Sequence, residues 1–305
     1  MPPRFAHISD PHLTSLDQAS PRQLLNKRLL GYISWRRKRR AEHQTGVLQA
    51  LQSDLETEEL VQLVITGDLT HIGLPQEFTQ AASWLQQLGN PNDIAVVPGN
   101  HDACVKMPWK DGLAHWQAFM NSDDTSDPGF PSLRVRQGIA FIGLSSACAT
   151  PPLMASGTLG KEQLSGLAST LKQTAEAGLF RVVYLHHPPL PGTEKWRKRL
   201  TDAPELSDII KQQGAELILH GHGHRAQQHE LETCDGKVLV AAVPSASALG
   251  LHGADTAAYS NYAVINGTEG WILDIQERRY QPEQDTFTAH ASQQRHIVRK
   301  HYRVK

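Results

Sequence analysis

The chain has 305 residues, enough for one large α/β domain, and 39% hydrophobic content admits a sizeable core and excludes wholesale disorder. A formal net charge of −1 excludes a global field drawing it to nucleic acid or membrane, so any such attraction must come from a local patch. Three cysteines, Cys104, Cys148 and Cys234, without paired short spacing exclude a disulfide framework and fit a reducing compartment. The opening residues show no leader pattern, and no apolar run reaches the roughly 18 residues of a membrane span. The expected location is cytoplasmic, with peripheral membrane contact left open.

Phe5 to Ile8 reads as a first strand. Residues 15–43 read as an insertion rich in leucine and arginine, and residues 43–58 as a helix. Leu60 to Ile65 is an apolar run, taken as a buried strand ending at Gly67. Pro75 opens a helix to Leu88, closed by Gly89 and Asn90. Ile94 to Val97 is a strand, 121–132 a loop, and Ile139 to Leu144 a strand. Lys161 to Ala177 is helical, Arg181 to Leu185 a strand, and Asp202 can cap a helix ended by Gly214. Glu216 to Leu219 is a strand. Beyond it, Val238 to Val243, Tyr262 to Ile265 and Trp271 to Ile275 are strands without intervening helices. The alternation up to residue 220 argues for an α/β sheet, and the later strands for antiparallel additions. One domain over 1–280 is expected, then a polar tail over 281–305.

Five polar clusters each follow a strand: Asp10-Pro11-His12, Gly67-Asp68, Gly99-Asn100-His101-Asp102, His186-His187-Pro188-Pro189 and His220-Gly221-His222-Gly223-His224. Ligand sites of α/β sheets gather at such ends. Residues two apart at a strand end can face one side; Asp10 and His12 have that spacing, provided strand geometry persists through Pro11, and so do His222 and His224. The two oxygens of Asp68 can bridge two cations, and Asn100 adds a neutral oxygen. Together the clusters supply the material for a two-metal hydrolytic centre. A lone histidine at a strand end is more often structural, and His7, His71 and His220 read as packing or supporting residues. His252, His290, His296 and His301 read as solvated.

These five blocks, in order over about residues 4–225, resemble the calcineurin-like metallophosphoesterase family. The resemblance implies a four-layer α/β/β/α sandwich of two mixed sheets flanked by helices. It assigns Asp10, His12, Asp68 and His224 to one metal, and Asp68, Asn100, His186 and His222 to the other. His101 would stay unligated near the scissile phosphate, oriented by Asp102, and a hydroxide bridging the cations would attack phosphorus. The pattern favours His186 over His187 as ligand. The donors admit manganese, iron, cobalt or zinc, divalent or trivalent.

In size and block layout the chain is most similar to bacterial class III cyclic-nucleotide phosphodiesterases, which implies a small phosphodiester substrate. The insertion carries Leu25, Leu29 and Ile33 every fourth residue amid Arg22, Lys27, Arg28 and Arg36 to Arg40. Three readings of it stay open: a packed hairpin, a cap gripping phosphates, or a membrane contact over 22–43. If it touches lipid, the similar proteins are pyrophosphatases that cleave UDP-diacylglucosamine in lipid A synthesis. A non-catalytic scaffold is the third alternative, and nucleic acid is disfavoured. Residues 244–262, with Ser245, Ser247, His252, Tyr259 and Asn261, read as a pocket wall or a connecting loop.

Overall fold

Period-two alternation decides what each strand packs against. In β1 (Arg4–Ile8), Phe5 joins an apolar layer between two sheets, while Ala6 and Ile8 face helices. β2 (Gln62–Ile65) splits the same way, with Val64 toward the other sheet and Leu63 and Ile65 toward helices. β3 (Ile94–Val96) turns Ala95 inward. These three strands run parallel. The computed structural model describes residues 1–13, 15–125 and 129–298, so His301 and the side chain of His252 lie outside the described residues.

The second sheet begins with β4 (Ser132–Arg136), β5 (Ile139–Gly143), β6 (Phe180–Tyr184) and β7 (Leu217–His220). It is completed by β8 (Gln227–Thr233) and β9 (Gly236–Ala242), in the order β4-β5-β6-β7-β9-β8. β10 (Ala258–Asn266), β11 (Gly270–Gln281) and β12 (Thr286–Val298) return to the first sheet, whose order is β12-β11-β10-β1-β2-β3.

Four helices complete the layers. Two of them, α3 and α4 below, cover the first sheet. Within the insertion, α1 (Arg28–Ser34) continues through a wide turn over Trp35–Arg39 into α2 (Arg40–Glu42). α3 (Thr45–Leu55) and α4 (Pro75–Leu88) bury Val47, Leu51, Phe78 and Leu85 against the first sheet. A short α5 (Gln117–Met120) precedes α6 (Gly160–Glu176) and α7 (Ala203–Gln213), which pack Leu167, Leu171, Leu206 and Ile210 on the second. The arrangement is the expected α/β/β/α sandwich. Among the described residues no helix is long and apolar enough to cross a membrane.

The structure corrects four sequence expectations. Residues 286–298 are not a tail but a strand paired along β11 from Gln281↔Thr286 to Gly270↔Val298. Only Phe287 of that edge strand is buried, so it lacks an apolar signature; His290 and His296 are exposed on it. β8, also missed, is polar for the same reason. β9 pairs in parallel with β7, so not every late strand is an antiparallel addition. Asp202 does not cap its own helix, where its backbone is not extended. Its carboxylate instead accepts from the N–H groups of Leu159 at 2.9 Å and Gly160 at 2.8 Å, capping α6.

The insertion packs by Leu16, Leu24 and Trp35 against Ile72, Leu74 and Cys104. Gly31 makes this possible: a Cβ there would lie 2.5 Å from Ile72 Cγ2. The far end is tied by Glu42, which accepts from the N–H groups of Gly250 at 2.9 Å and Leu251 at 3.0 Å. The Leu25-Leu29-Ile33 stripe does not join this packing and faces outward.

One buried ion pair pins the second sheet. Arg181 Nη2 lies 2.7 Å from Glu216 Oε1, both nearly inaccessible, and Arg181 Nε donates to Glu216 Oε2 at 2.9 Å. Removing one partner strands a charge in the core. Glu216→Ala is therefore expected to lower unfolding free energy by about 3–5 kcal/mol, read by urea denaturation.

Candidate metal centre

All five clusters converge where β1, β2, β3, β6 and β7 end. The ladder of β1 and β2 runs on past the strands, with Asp10 N–H donating to Gly67 O at 3.0 Å and His12 N–H to Asp68 O at 3.1 Å. The two sheets meet here: His222 N–H donates to Asp10 Oδ2 at 3.0 Å. Asp10, His12, Asp68, His222 and His224 all have φ between 44° and 69°. Asp and His tolerate that left-handed region better than most side chains. Such outliers persist only where surrounding contacts hold them.

Tautomers follow from the second ring nitrogen. His12 Nδ1 donates to Thr70 O at 3.0 Å, leaving a buried Nε2 with no partner. His186 Nδ1 donates to Thr66 O at 2.7 Å, so Nε2 is the ring nitrogen turned to the site. That Nε2 lies 3.3 Å from Asp68 Oδ2, 3.1 Å from Asn100 Oδ1 and 3.2 Å from His222 Nδ1. His222 Nδ1 is itself 2.8 Å from Asn100 Oδ1. On the other side, His224 Nε2 lies 3.1 Å from Asp10 Oδ1. Oxygen and imidazole donors gathered this closely in a buried site suit a cation between them. Asp68 belongs to one such group with His12 and His101 and to another with Asp10 and His186, and His12 also groups with His43 and His224. The residues present therefore fit a metal centre, and all seven expected ligands are at it.

Electrostatics agree. Burial, then the neighbouring imidazoles, hold His12 and His222 well below their ordinary pKa, hence neutral and able to coordinate. Burial opposes charge on His186 as well, but Asp68 and Asp10 outweigh it and raise that imidazole to about 9. Burial likewise opposes charge on Asp10, yet His224 keeps its carboxyl well below the carboxylate range.

His187 groups with His186 and His222 around a possible cation position, but its ring is also tied elsewhere. Ser146 Oγ is 2.8 Å from its Nδ1, and its Nε2 donates to Ala155 O at 3.1 Å, so both nitrogens are used. His7 and His220 lie buried behind the site, with His7 Nε2 2.9 Å from Thr66 Oγ1 and His220 Nδ1 donating to Gly221 O at 3.1 Å. His71 stacks on His12 with ring centroids 5.0 Å apart.

His101 is at the cleft, but Asp102 does not orient it. The Asp102 carboxylate accepts from the N–H groups of Asp68, Thr70 and Gly99, each at 2.9 Å, and from Thr70 Oγ1 at 3.0 Å. It braces backbone instead. The His101 ring is set by the His71 carbonyl, which requires a proton on Nδ1 and leaves Nε2 for the cleft. Arg39 Nη1, from the insertion, lies 3.1 Å from the same Nδ1. Burial and then Arg39 lower the His101 pKa well below its ordinary value.

Sequence reading missed His43, and named Arg39 only as one cation of a basic run that could cap the site. His43 stands 4.6 Å, centroid to centroid, from His12, and could join His12 and His224 around a cation. Its Nδ1 is 2.8 Å from Ser247 Oγ. No strand-end pattern marks it; only its place after a run of cations does. Ser245 and Ser247 support the site, with Ser245 Oγ donating to Asp10 O at 2.6 Å. Tyr259 instead donates to Asp54, away from the site. The cleft over the ligands encloses about 450 Å³ and is ringed by Lys38, Arg39, Lys198 and Arg225.

Residues 3–226 match the family described as calcineurin-like phosphoesterase. The chain belongs to that family. A probable cyclic nucleotide phosphodiesterase from Synechococcus sp. is 31% identical over 54% of this chain and 58% of the relative. A 3',5'-cyclic-nucleotide phosphodiesterase from Nostoc sp. is 30% identical over 57% of this chain and 60% of the relative. The chain thus spans less than two thirds of the length of either. A dimetal phosphatase from Danio rerio shares the fold, with a TM-score of 0.59 and 11% identity over 98% of this chain and 100% of that one.

A metal ion needs His186 neutral, whereas the metal-free side chain stays protonated up to about pH 9. Metal binding should therefore release a proton and tighten as pH rises from 6 toward about 9. Titration calorimetry with manganese in two buffers of different ionisation enthalpy should show that release, and Asp68→Asn should abolish most of the binding heat.

Proposed function

We propose that the protein is a dinuclear metal-dependent phosphodiesterase whose substrate is a small phosphodiester, with cyclic nucleotides the first class to test. The observation that carries this reading is that Asp68 belongs to two donor groups at once, one with His12 and His101 and one with Asp10 and His186, beside the Asn100 and His222 contacts of His186. The named activity of the Synechococcus and Nostoc relatives supports the substrate class. Two bound cations would supply charge stabilisation at phosphorus and an attacking water of lowered pKa.

The chain's own residues do the rest. Thr70 O and Thr66 O hold His12 and His186 in the coordinating tautomer. Arg39 places a guanidinium at the cleft, where a phosphate oxygen can take up its free donors. His101 is neutral in the resting protein. A bound phosphodiester brings negative charge that offsets Arg39 and raises the imidazole, so a proton taken up on Nε2 can pass to the leaving oxygen. No ligand position is lost, which argues against a scaffold role.

A second reading has its own observation. Beside the cleft, a cavity of about 330 Å³ is bounded by Leu30, Leu153 and Met154 as well as Lys27, Asn100 and His101. An apolar chain on a phosphoanhydride would fit there, as in a nucleotide-linked lipid.

Three measurements test the main reading. Metal-stripped protein should not hydrolyse bis-p-nitrophenyl phosphate; manganese should restore activity, with the diester preferred over p-nitrophenyl phosphate, and Asn100→Ala should remain inactive. No metal-dependent cleavage of either compound would refute it. His101→Ala should lower kcat about 10²–10⁴-fold on a cyclic nucleotide, with a poor leaving group, and much less on p-nitrophenyl esters, which need no proton. Arg39→Ala should raise KM by roughly tenfold, equivalent to about 1.4 kcal/mol, with smaller change in kcat.

A further inference from the structure

Among the described residues ten large hydrophobic side chains are exposed, and six of them lie on the segments that bound the cavity beside the metal cleft. Leu25 (82%), Leu29, Leu30 and Ile33 come from the insertion, Leu153 (72%) and Trp196 (66%) from the opposite lip. The lips are joined. Lys27 Nζ donates to Thr150 Oγ1 at 2.6 Å and Met154 O at 2.9 Å, and Ala155 N–H donates to Arg197 O at 2.8 Å. Leu30 and Leu153 bound one cavity together with His101. Scattered exposed leucines need no explanation, but six on one rim do.

Cations share that rim. Residues 22–40 hold eight Lys and Arg and no Asp or Glu. The second lip reads Glu194-Lys195-Trp196-Arg197-Lys198-Arg199, with all but Glu194 exposed. Among the described residues none of the exposed cations at 36–38 or 195–199 is in an ion pair, whereas Arg40 meets Asp17 at 3.2 Å. The surplus is local, since the whole chain carries −1. Apolar side chains with a tryptophan, set among unpaired Lys and Arg, match the boundary of an anionic bilayer, where acyl chains meet phosphate headgroups. A nucleic acid would satisfy the cations and leave the leucines uncovered.

We propose that this rim docks the protein on an anionic lipid bilayer, with Leu25, Leu29, Ile33 and Trp196 inserted at headgroup level and the metal cleft opening onto the surface. The proposal holds whichever ester the site cleaves.

The test is sedimentation of the full chain with vesicles of phosphatidylcholine alone or mixed with phosphatidylglycerol. Binding is expected only to the mixed vesicles, and should weaken as salt rises. Leu25→Ser, Leu29→Ser and Ile33→Ser combined should reduce partitioning by roughly tenfold or more. That variant should leave the melting temperature and bis-p-nitrophenyl phosphate hydrolysis unchanged, because these side chains already face solvent. Trp196→Phe supplies an independent single-site reading: the blue shift of emission on mixed vesicles should fall in this variant. No binding to mixed vesicles would overturn the proposal. So would binding that survives the triple substitution and is displaced by a DNA oligonucleotide, which would mark a general polyanion patch.

Discussion

The Asp102 carboxylate is the contact on which the site depends. Two oxygens gather three backbone N–H groups and one hydroxyl from two different strand ends, those of β2 and β3. Burial and the charge of Asp68 push its carboxyl up to about 7, against the hydrogen bonds that favour ionisation. The clamp draws the two turns together until only glycine fits between them. A Cβ on Gly67 would sit 2.6 Å from Gly99 N, and one on Gly99 would sit 2.2 Å from Asp68 Oδ1. With the backbone closed in this way, Asp68 and Asn100 are held beside each other before any cation arrives. Asp68 Oδ1 then accepts from His101 N–H at 2.7 Å, so the same clamp places the histidine proposed to move the proton.

The opposite sheet is fastened by a second carboxylate. Asp10 Oδ2 takes Ser9 Oγ at 2.6 Å and His222 N–H at 3.0 Å, which leaves Oδ1 turned to His224. Gly221 is required there, because a Cβ would fall 1.8 Å from Ser9 Oγ. One residue thus joins the sheets with one oxygen and faces His224 with the other. The cluster is rigid because its supporting bonds are mostly to backbone.

The insertion links the cleft to the outside. Its inner side, through Trp35 and Arg39, packs on the domain and reaches His101; its outer side leaves four aliphatic residues in solvent. The single glycine at 31 lets the helix lie on Ile72, so one short element serves both faces. The insertion packs on the domain as a hairpin would, and Arg39 carries a guanidinium from it to His101.

Strand and helix order was legible because buried parallel strands are short unbroken apolar runs and α4 and α6 end at glycines. The edge strands β8 and β12 were not, since their apolar content is too small for any period to show. Sequence alone pointed to the chemistry of the centre, because five strand-end clusters in a fixed order carry oxygen and imidazole donors, and folding brings those residues together. What only the tertiary structure decided was which atom of each donor faces the site and which neighbour supports it. His186 and His187 are chemically identical, and folding gives them different partners: Thr66 O and Asp68 for one, Ser146 and Ala155 for the other. Asp102 adjoins His101 in sequence yet turns away, because three N–H groups brought close by folding outcompete one ring. His43 and Arg39 belong to the centre through packing across the fold, which no local pattern of residues encodes.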